Sequence, residues 1–119
     1  MNPDCPFCTR IAAGEYDYRD DTWNVAFQPL DPVTLGHFLV VPCAHVTDAL
    51  AAPLEAGRAA RFAAILAKDM GLEACNLITS AGTAATQTVM HLHFHVVPRR
   101  AGDGLALPWT RQWQLGLTP

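Results

Sequence analysis

The chain has 119 residues, half of them hydrophobic, and a formal net charge of −3. That length gives one compact domain with a sizeable core, spanning residues 1–119, and leaves no room for two ordinary ones. No apolar run approaches a membrane span, the opening MNPDCPFC lacks the basic start and apolar centre of a signal peptide, and the acidic balance argues against general nucleic-acid binding. The expectation is a cytoplasmic protein that binds neither membrane nor nucleic acid, with a small anionic ligand still open to it.

In chain order, CPFCTRIAAG reads as a short helix ended by Gly14. YDYRDD is polar and reads as a turn or an edge strand. WNVAFQPL alternates apolar and other residues and predicts a strand over about Asn24 to Gln28. Pro29 and Pro32 force an irregular loop, PLDPVTLG, before a second strand, HFLVVP. TDALAAP reads as a single helical turn.

The long helix falls in PLEAGRAARFAAILAKDMG, with Pro53 near its start and Gly71 just past its end. Its expected apolar stripe is Leu54, Ala60, Ile65 and Leu66, with Phe62 and Met70. ACNLITSAG is a third strand and MHLHFHVVP a fourth, joined by the small and hydroxyl residues of SAGTAATQTV. The tail after Arg100 lacks a period and is expected to wrap over the surface. The fold class is therefore α+β: an antiparallel sheet with one face under the long helix and the other left open.

Three of the five histidines stand at 91, 93 and 95. Side chains alternate along a strand, so these three share a face while Leu92, Phe94 and Val96 take the core side. The outer pair would lie about 13 Å apart given the strand rise, too far to share one ion through bonds near 2 Å. Three adjacent imidazoles cannot all be charged cheaply. Such a row calls for either a metal cation on neutral nitrogens or an anion among partly protonated ones, and an extended anion such as a phosphate chain suits it better. His37, at a loop-to-strand junction, can reach the same cleft.

Cysteines 43 and 75 lie in apolar segments and read as small core residues. Cys5-x-x-Cys8 has the spacing of half a zinc knuckle; taken alone, it reads equally well as a pair at a helix start.

HLHFHVV resembles the H-φ-H-φ-H-φ-φ signature of the histidine-triad (HIT) family, φ being apolar. CPFCTRIAAGE, GHFLVVPCAHV and GTAATQTVMHLHFHVVPR are similar to family segments in the same order, from about Cys5 to Arg100. HVVPRRAGD resembles the dinucleoside polyphosphate hydrolase branch. The resemblance implies a HIT-like fold of about five antiparallel strands with one long and one short N-terminal helix, homodimers, and a nucleotide bound with its phosphates over the histidine strand.

It further implies residue roles. His93 matches the nucleophile, His95 an α-phosphate contact that aids transfer, and His37 a further phosphate-side contact. Gln87 and Thr88, with Thr86 and Ser80 beside them, match the positions that hold the phosphates or the leaving group. In zinc-bearing branches, Cys5, Cys8, His45 and His91 match a closed structural zinc set. Where many relatives carry a ribose-binding Asp or Asn, this chain has Pro29. Where they carry glycine before the Gln-Ser/Thr pair, it has Thr86, and where they often carry Asn or Gln, it has Ser80.

The leading expectation is hydrolysis at the α-phosphate of a nucleotide derivative, a dinucleoside polyphosphate or a nucleoside phosphoramidate, through a nucleotidyl-histidine intermediate. The rival readings are a nucleotide-binding regulatory module with little catalysis, and a zinc-stabilised scaffold.

Overall fold

The computed structural model describes residues 2–20 and 22–117; Asp21, within the YDYRDD stretch, and Met1, within MNPDCPFC, lie outside the described residues. Helix α1 (Pro6–Ala12) is followed by strands β1 (Tyr18–Arg19), β2 (Asn24–Phe27) and β3 (Phe38–Pro42). Helix α2 (Pro53–Asp69), strands β4 (Cys75–Ile78) and β5 (Phe94–Pro98), and a short helix α3 (Thr110–Gln114) complete the order. The five strands form one sheet in the order β1-β2-β3-β5-β4, with every neighbouring pair antiparallel.

Register assigns each strand residue to one of two faces. Ala26 pairs with Val40 and Val40 with Phe94. These residues, with Phe38 and Val96, pack beneath α2. Val25 pairs with Val41 and Phe27 with Leu39, and these four meet Cys5, Phe7 and Cys8 of the N-terminal segment on the opposite face. Leu39 also pairs with His95, so the imidazole at 95 stands on the α1 face. That face is not left open: α1 covers one end of it.

The stripe of α2 also differs from expectation. Its buried residues are Ala56, Ala59, Ala63, Leu66 and Ala67, whereas Leu54 is 63% exposed and Ile65 38%. Alanine on the inner face lets the helix backbone approach the sheet, and Phe62 and Met70 fill the margins of the cluster. Leu66 is buried as expected, but Leu54 and Ile65 are not, because most inward positions are taken by alanine.

Local signals account for the element ends. The backbone of Cys5 is extended, its sulfur accepts the Cys8 N–H at 3.4 Å, and Pro6 opens α1. Gly14 at φ +71° ends that helix. Asp48 caps the turn at TDALAAP, accepting the N–H groups of Leu50 and Ala51. Gly36 at φ +85° packs against Pro98, where a Cβ would come within 3.2 Å of the ring.

Strand β5 begins only at Phe94, so His91 and His93 precede the ladder rather than lying within it. The tail is partly helical, through α3, and is tied to the sheet by Arg99. The Arg99 guanidinium donates to both carboxylate oxygens of Asp103 (2.9 and 3.1 Å), to Asn76 Oδ1 and to the Leu105 carbonyl. The pair holds the Asp103 carboxyl well below the usual carboxylate range. All three guanidinium nitrogens have internal acceptors, so Arg99 acts as a structural clasp.

Candidate functional site

Two adjoining clusters grow from the segment that leads into β5. The first gathers Cys5, Cys8, His45 and His91, whose ligand atoms all lie within 4.8 Å of one another. His91 Nδ1 is 3.4 Å from Cys5 Sγ, 3.6 Å from Cys8 Sγ and 3.2 Å from His45 Nδ1, and His45 Nδ1 is 3.3 Å from Cys8 Sγ. Tetrahedral bonds of ~2.3 Å to sulfur and ~2.05 Å to nitrogen set sulfur and nitrogen about 3.5 Å apart, and two nitrogens about 3.3 Å apart. The side chains already stand at that spacing.

His91 Nε2 lies 2.7 Å from the Pro42 carbonyl. A carbonyl only accepts, so the proton is on Nε2 and the Nδ1 lone pair faces the thiols. Such a back-bonded imidazole is the usual form of a metal-ligating histidine. Helix geometry brings in the cysteines: positions three apart share a helix side, and Cys5 caps the helix that carries Cys8. The four residues form a cluster that could hold a metal.

The second cluster is His37, His93 and His95. His37 and His95 ring centroids are 5.2 Å apart, as are those of His93 and His95. Phe7 packs edge-on against both His91 and His93, at 5.8 and 5.1 Å. The histidines thus share the α1 face, as alternation predicts, although two of them precede the strand proper.

Hydrogen bonds assign each tautomer. The Val33 N–H donates to His37 Nδ1 at 3.1 Å, so the His37 proton is on Nε2. That nitrogen donates to His95 Nδ1 at 2.9 Å, which leaves the His95 proton on Nε2. His93 Nδ1 donates to the His91 carbonyl at 2.7 Å, so the His93 Nε2 lone pair is free. One ring offers a lone pair and its neighbour an N–H. Burial holds all three rings below the ordinary imidazole pKa. His95 is pushed down to about 4, chiefly by burial and further by His93 and His37; His91 also falls to about 4, chiefly through burial.

The loop before the histidines is held from within. Gln87 is buried, its Oε1 accepts the Gly82 N–H at 2.8 Å, and its Nε2 donates to the carbonyls of Thr47 and Val89. Its amide is engaged in shaping the loop. Ser80 is half-buried, and Thr86 and Thr88 are exposed. Thr88 borders a hollow of about 340 Å³ shared with Cys5, His45 and Thr47. Thr86 has φ +71°, a left-handed conformation taken among the described residues by no other non-glycine. For a β-branched residue this stores roughly 1–2 kcal/mol.

Several contributors gave no signal in the sequence. The Val33 N–H and the Pro42 and His91 carbonyls are backbone groups that any residue could supply. Thr79 Oγ1 donates to the His93 carbonyl at 2.7 Å, just past the end of the β4–β5 ladder.

The HIT domain family pattern matches residues 18–102. The chain is 37% identical over 116 residues to an HIT-like protein of Mycobacterium tuberculosis, covering 87% of this chain and 76% of that one. It is 32% identical over 112 residues to adenosine 5′-monophosphoramidase HNT1 of Saccharomyces cerevisiae, covering 91% and 71%. A zinc-bound histidine triad family protein from Mycobacterium smegmatis superposes with a TM-score of 0.70 at 33% identity, covering 87% and 81%.

The depressed histidines give stability a defined pH dependence. Above about pH 6.5 His95 is neutral in both folded and unfolded chains. Below that value the unfolded chain takes up a proton that the folded one refuses, until about pH 4. Stability should therefore fall as pH drops from about 6.5 towards 4. Urea midpoints across that range should show the decline, and His95→Asn should remove up to one proton of slope; a midpoint that is flat or rising in acid would contradict the assignment.

Proposed function

This chain belongs to the histidine-triad family, and from that premise we propose that it is a hydrolase that cleaves nucleotide derivatives at the α-phosphate, with His93 as nucleophile. The observation that carries the reading is the pairing of a bare His93 Nε2 with a protonated His95 Nε2 on rings 5.2 Å apart. The adenosine 5′-monophosphoramidase activity named for the yeast relative supports the substrate class.

In this scheme the His93 Nε2 lone pair attacks the α-phosphorus in line. The bond from phosphorus to the leaving oxygen or nitrogen breaks, and its electron pair departs with the leaving group. The Nδ1–H bond to the His91 carbonyl steadies the positive charge that develops on the His93 ring. The His95 N–H lies beside the reacting centre to donate to a phosphoryl oxygen or the departing atom, with His37 fixing its tautomer. Water then attacks phosphorus, the bond to His93 breaks, and a nucleoside 5′-monophosphate leaves.

In this reading Thr86, Thr88 and Ser80 meet the remaining phosphates or the leaving group, while Gln87 shapes the loop between them. The two substrate classes considered are dinucleoside polyphosphates and nucleoside phosphoramidates, and the named relative favours the second.

Zinc is the metal proposed for Cys5, Cys8, His45 and His91, a donor set typical of closed structural sites. When bound, it supplies a crosslink between α1 and the segment entering β5. A homodimer completes the reading. Its support is the edge strand β4 with Leu77 exposed, together with the exposed Trp109 and Trp113 of the tail.

Three outcomes are expected. His93→Ala should lower turnover of adenosine phosphoramidate and diadenosine tetraphosphate by ~10³-fold or more with the circular dichroism spectrum retained; undiminished turnover would refute the nucleophile, and saturable binding of AMP by the wild type without turnover would favour a regulatory module. Protein purified without a histidine tag should carry about one zinc per chain, and chelation should lower Tm by ~5 °C or more; a metal-free preparation with unchanged Tm would remove zinc from the account. Sedimentation equilibrium should give twice the 12.9 kDa chain mass, and a monomer at micromolar concentration would remove the dimer.

A further inference from the structure

Arg10 is the residue of the site face whose position the chemistry above leaves unexplained. It lies in the last turn of α1, three residues beyond Phe7, and its guanidinium carbon sits 4.0 Å above the centre of the Phe27 ring. Its Nε–H donates to the Glu15 carbonyl at 3.2 Å and an Nη1–H to the Gln28 carbonyl at 3.5 Å. Among the described residues no carboxylate pairs with it; the one ion pair there is Arg99 with Asp103. A full positive charge is therefore held over a ring, with no carboxylate at ion-pair distance among the described residues.

The rings below it lead directly to the proposed nucleophile. Phe27 meets Phe7 at 5.4 Å, and Phe7 meets His93 at 5.1 Å. Arg10 is thus linked to His93 through two aromatic rings in succession, which suits it to a part of the ligand other than the phosphate undergoing attack. Two of its N–H directions are already engaged by carbonyls. What it still offers is the solvent-exposed part of a planar cation, since Arg10 is only half-buried. A planar cation held on one aromatic ring attracts a second π-system to its free face.

We propose that Arg10 is a binding residue for the nucleoside half of the substrate, its guanidinium being the platform on which the base stacks. This rests on the nucleotide reading above. A base on Arg10 and an α-phosphate at His93 lie on the same side of the sheet, with the ribose between them beside the loop that begins at Gln28. The interaction needs a flat charged face rather than charge alone, so lysine cannot replace arginine. It needs no hydrogen-bond code, so different bases are accepted in proportion to their stacking area.

The test is isothermal titration of wild type, Arg10→Ala and Arg10→Lys with AMP and with ribose 5-phosphate, and a melting curve for each variant to verify folding. Both substitutions should weaken AMP about 5- to 10-fold and leave ribose 5-phosphate unchanged. Equal weakening of the two ligands would mean that Arg10 serves the phosphate, and unchanged or tighter AMP binding would mean that it merely covers Phe27; either result overturns the proposal. A wild type that binds neither ligand would overturn the nucleotide reading and this inference together, an outcome distinct from a failure of Arg10 alone.

Discussion

His91 is fully buried and held on three sides. Its Nε2–H is donated to the Pro42 carbonyl, its Nδ1 faces two thiols and a second imidazole, and its own carbonyl receives the His93 Nδ1–H. The first bond sets the tautomer that makes the second arrangement possible. The third sets the tautomer of the ring two residues on. A side chain that closes the cysteine–histidine cluster thus also determines, through its backbone, which nitrogen of His93 is bare. The two clusters are coupled by one peptide unit. Displacing His91 would disturb both the joint between α1 and the sheet and the alignment of the neighbouring ring.

The same economy governs the rest of the site. Burial holds His37, His93 and His95 neutral, and neutral rings are what a relay of directed N–H groups requires. The relay begins at the Val33 N–H, in a loop confined by Pro29 and Pro32. It passes through His37 to His95 and ends in one outward donor. In the proposed reaction, an arriving phosphate would meet an N–H from one ring and a lone pair from the next without prior loss of a proton. Phe7 braces this arrangement from α1, touching His91, His93 and Phe27 at once. The short N-terminal helix is therefore part of the site rather than an appendage to the sheet.

Much of this was readable from residue order. The alternation H-φ-H-φ-H places three imidazoles on one face, and they do share it, with Phe94 and Val96 beneath α2. The four members of the cysteine–histidine cluster could be named as matches to a zinc-bearing relative, and they converge in space. Helix α2 was legible from its proline start and glycine end, yet its buried face was only partly so: Leu66 is buried and Phe62 and Met70 pack at its margin as expected. Hydrophobicity favours Leu54 and Ile65, while close helix–sheet contact favours Ala59 and Ala63. The length of the histidine strand was overestimated because alternation persists through His91 and His93 although β4 pairs only as far as His95. Gln87 looked like a ligand-facing amide, and its inward bonds depend on carbonyls 40 and 2 residues away that no pattern specifies.

The account turns on a transient covalent bond between phosphorus and the Nε2 atom of His93. Rapid acid quench of the protein with excess adenosine phosphoramidate, followed by peptide mass spectrometry under conditions that preserve phosphoramidate linkages, addresses it directly. The account predicts an adenylyl group on the peptide bearing residues 91–95, localised to His93 by fragmentation and absent from His93→Ala. A modification found on His95 or His37 instead, or turnover at the normal rate with no adenylylated histidine at any quench time, would contradict it.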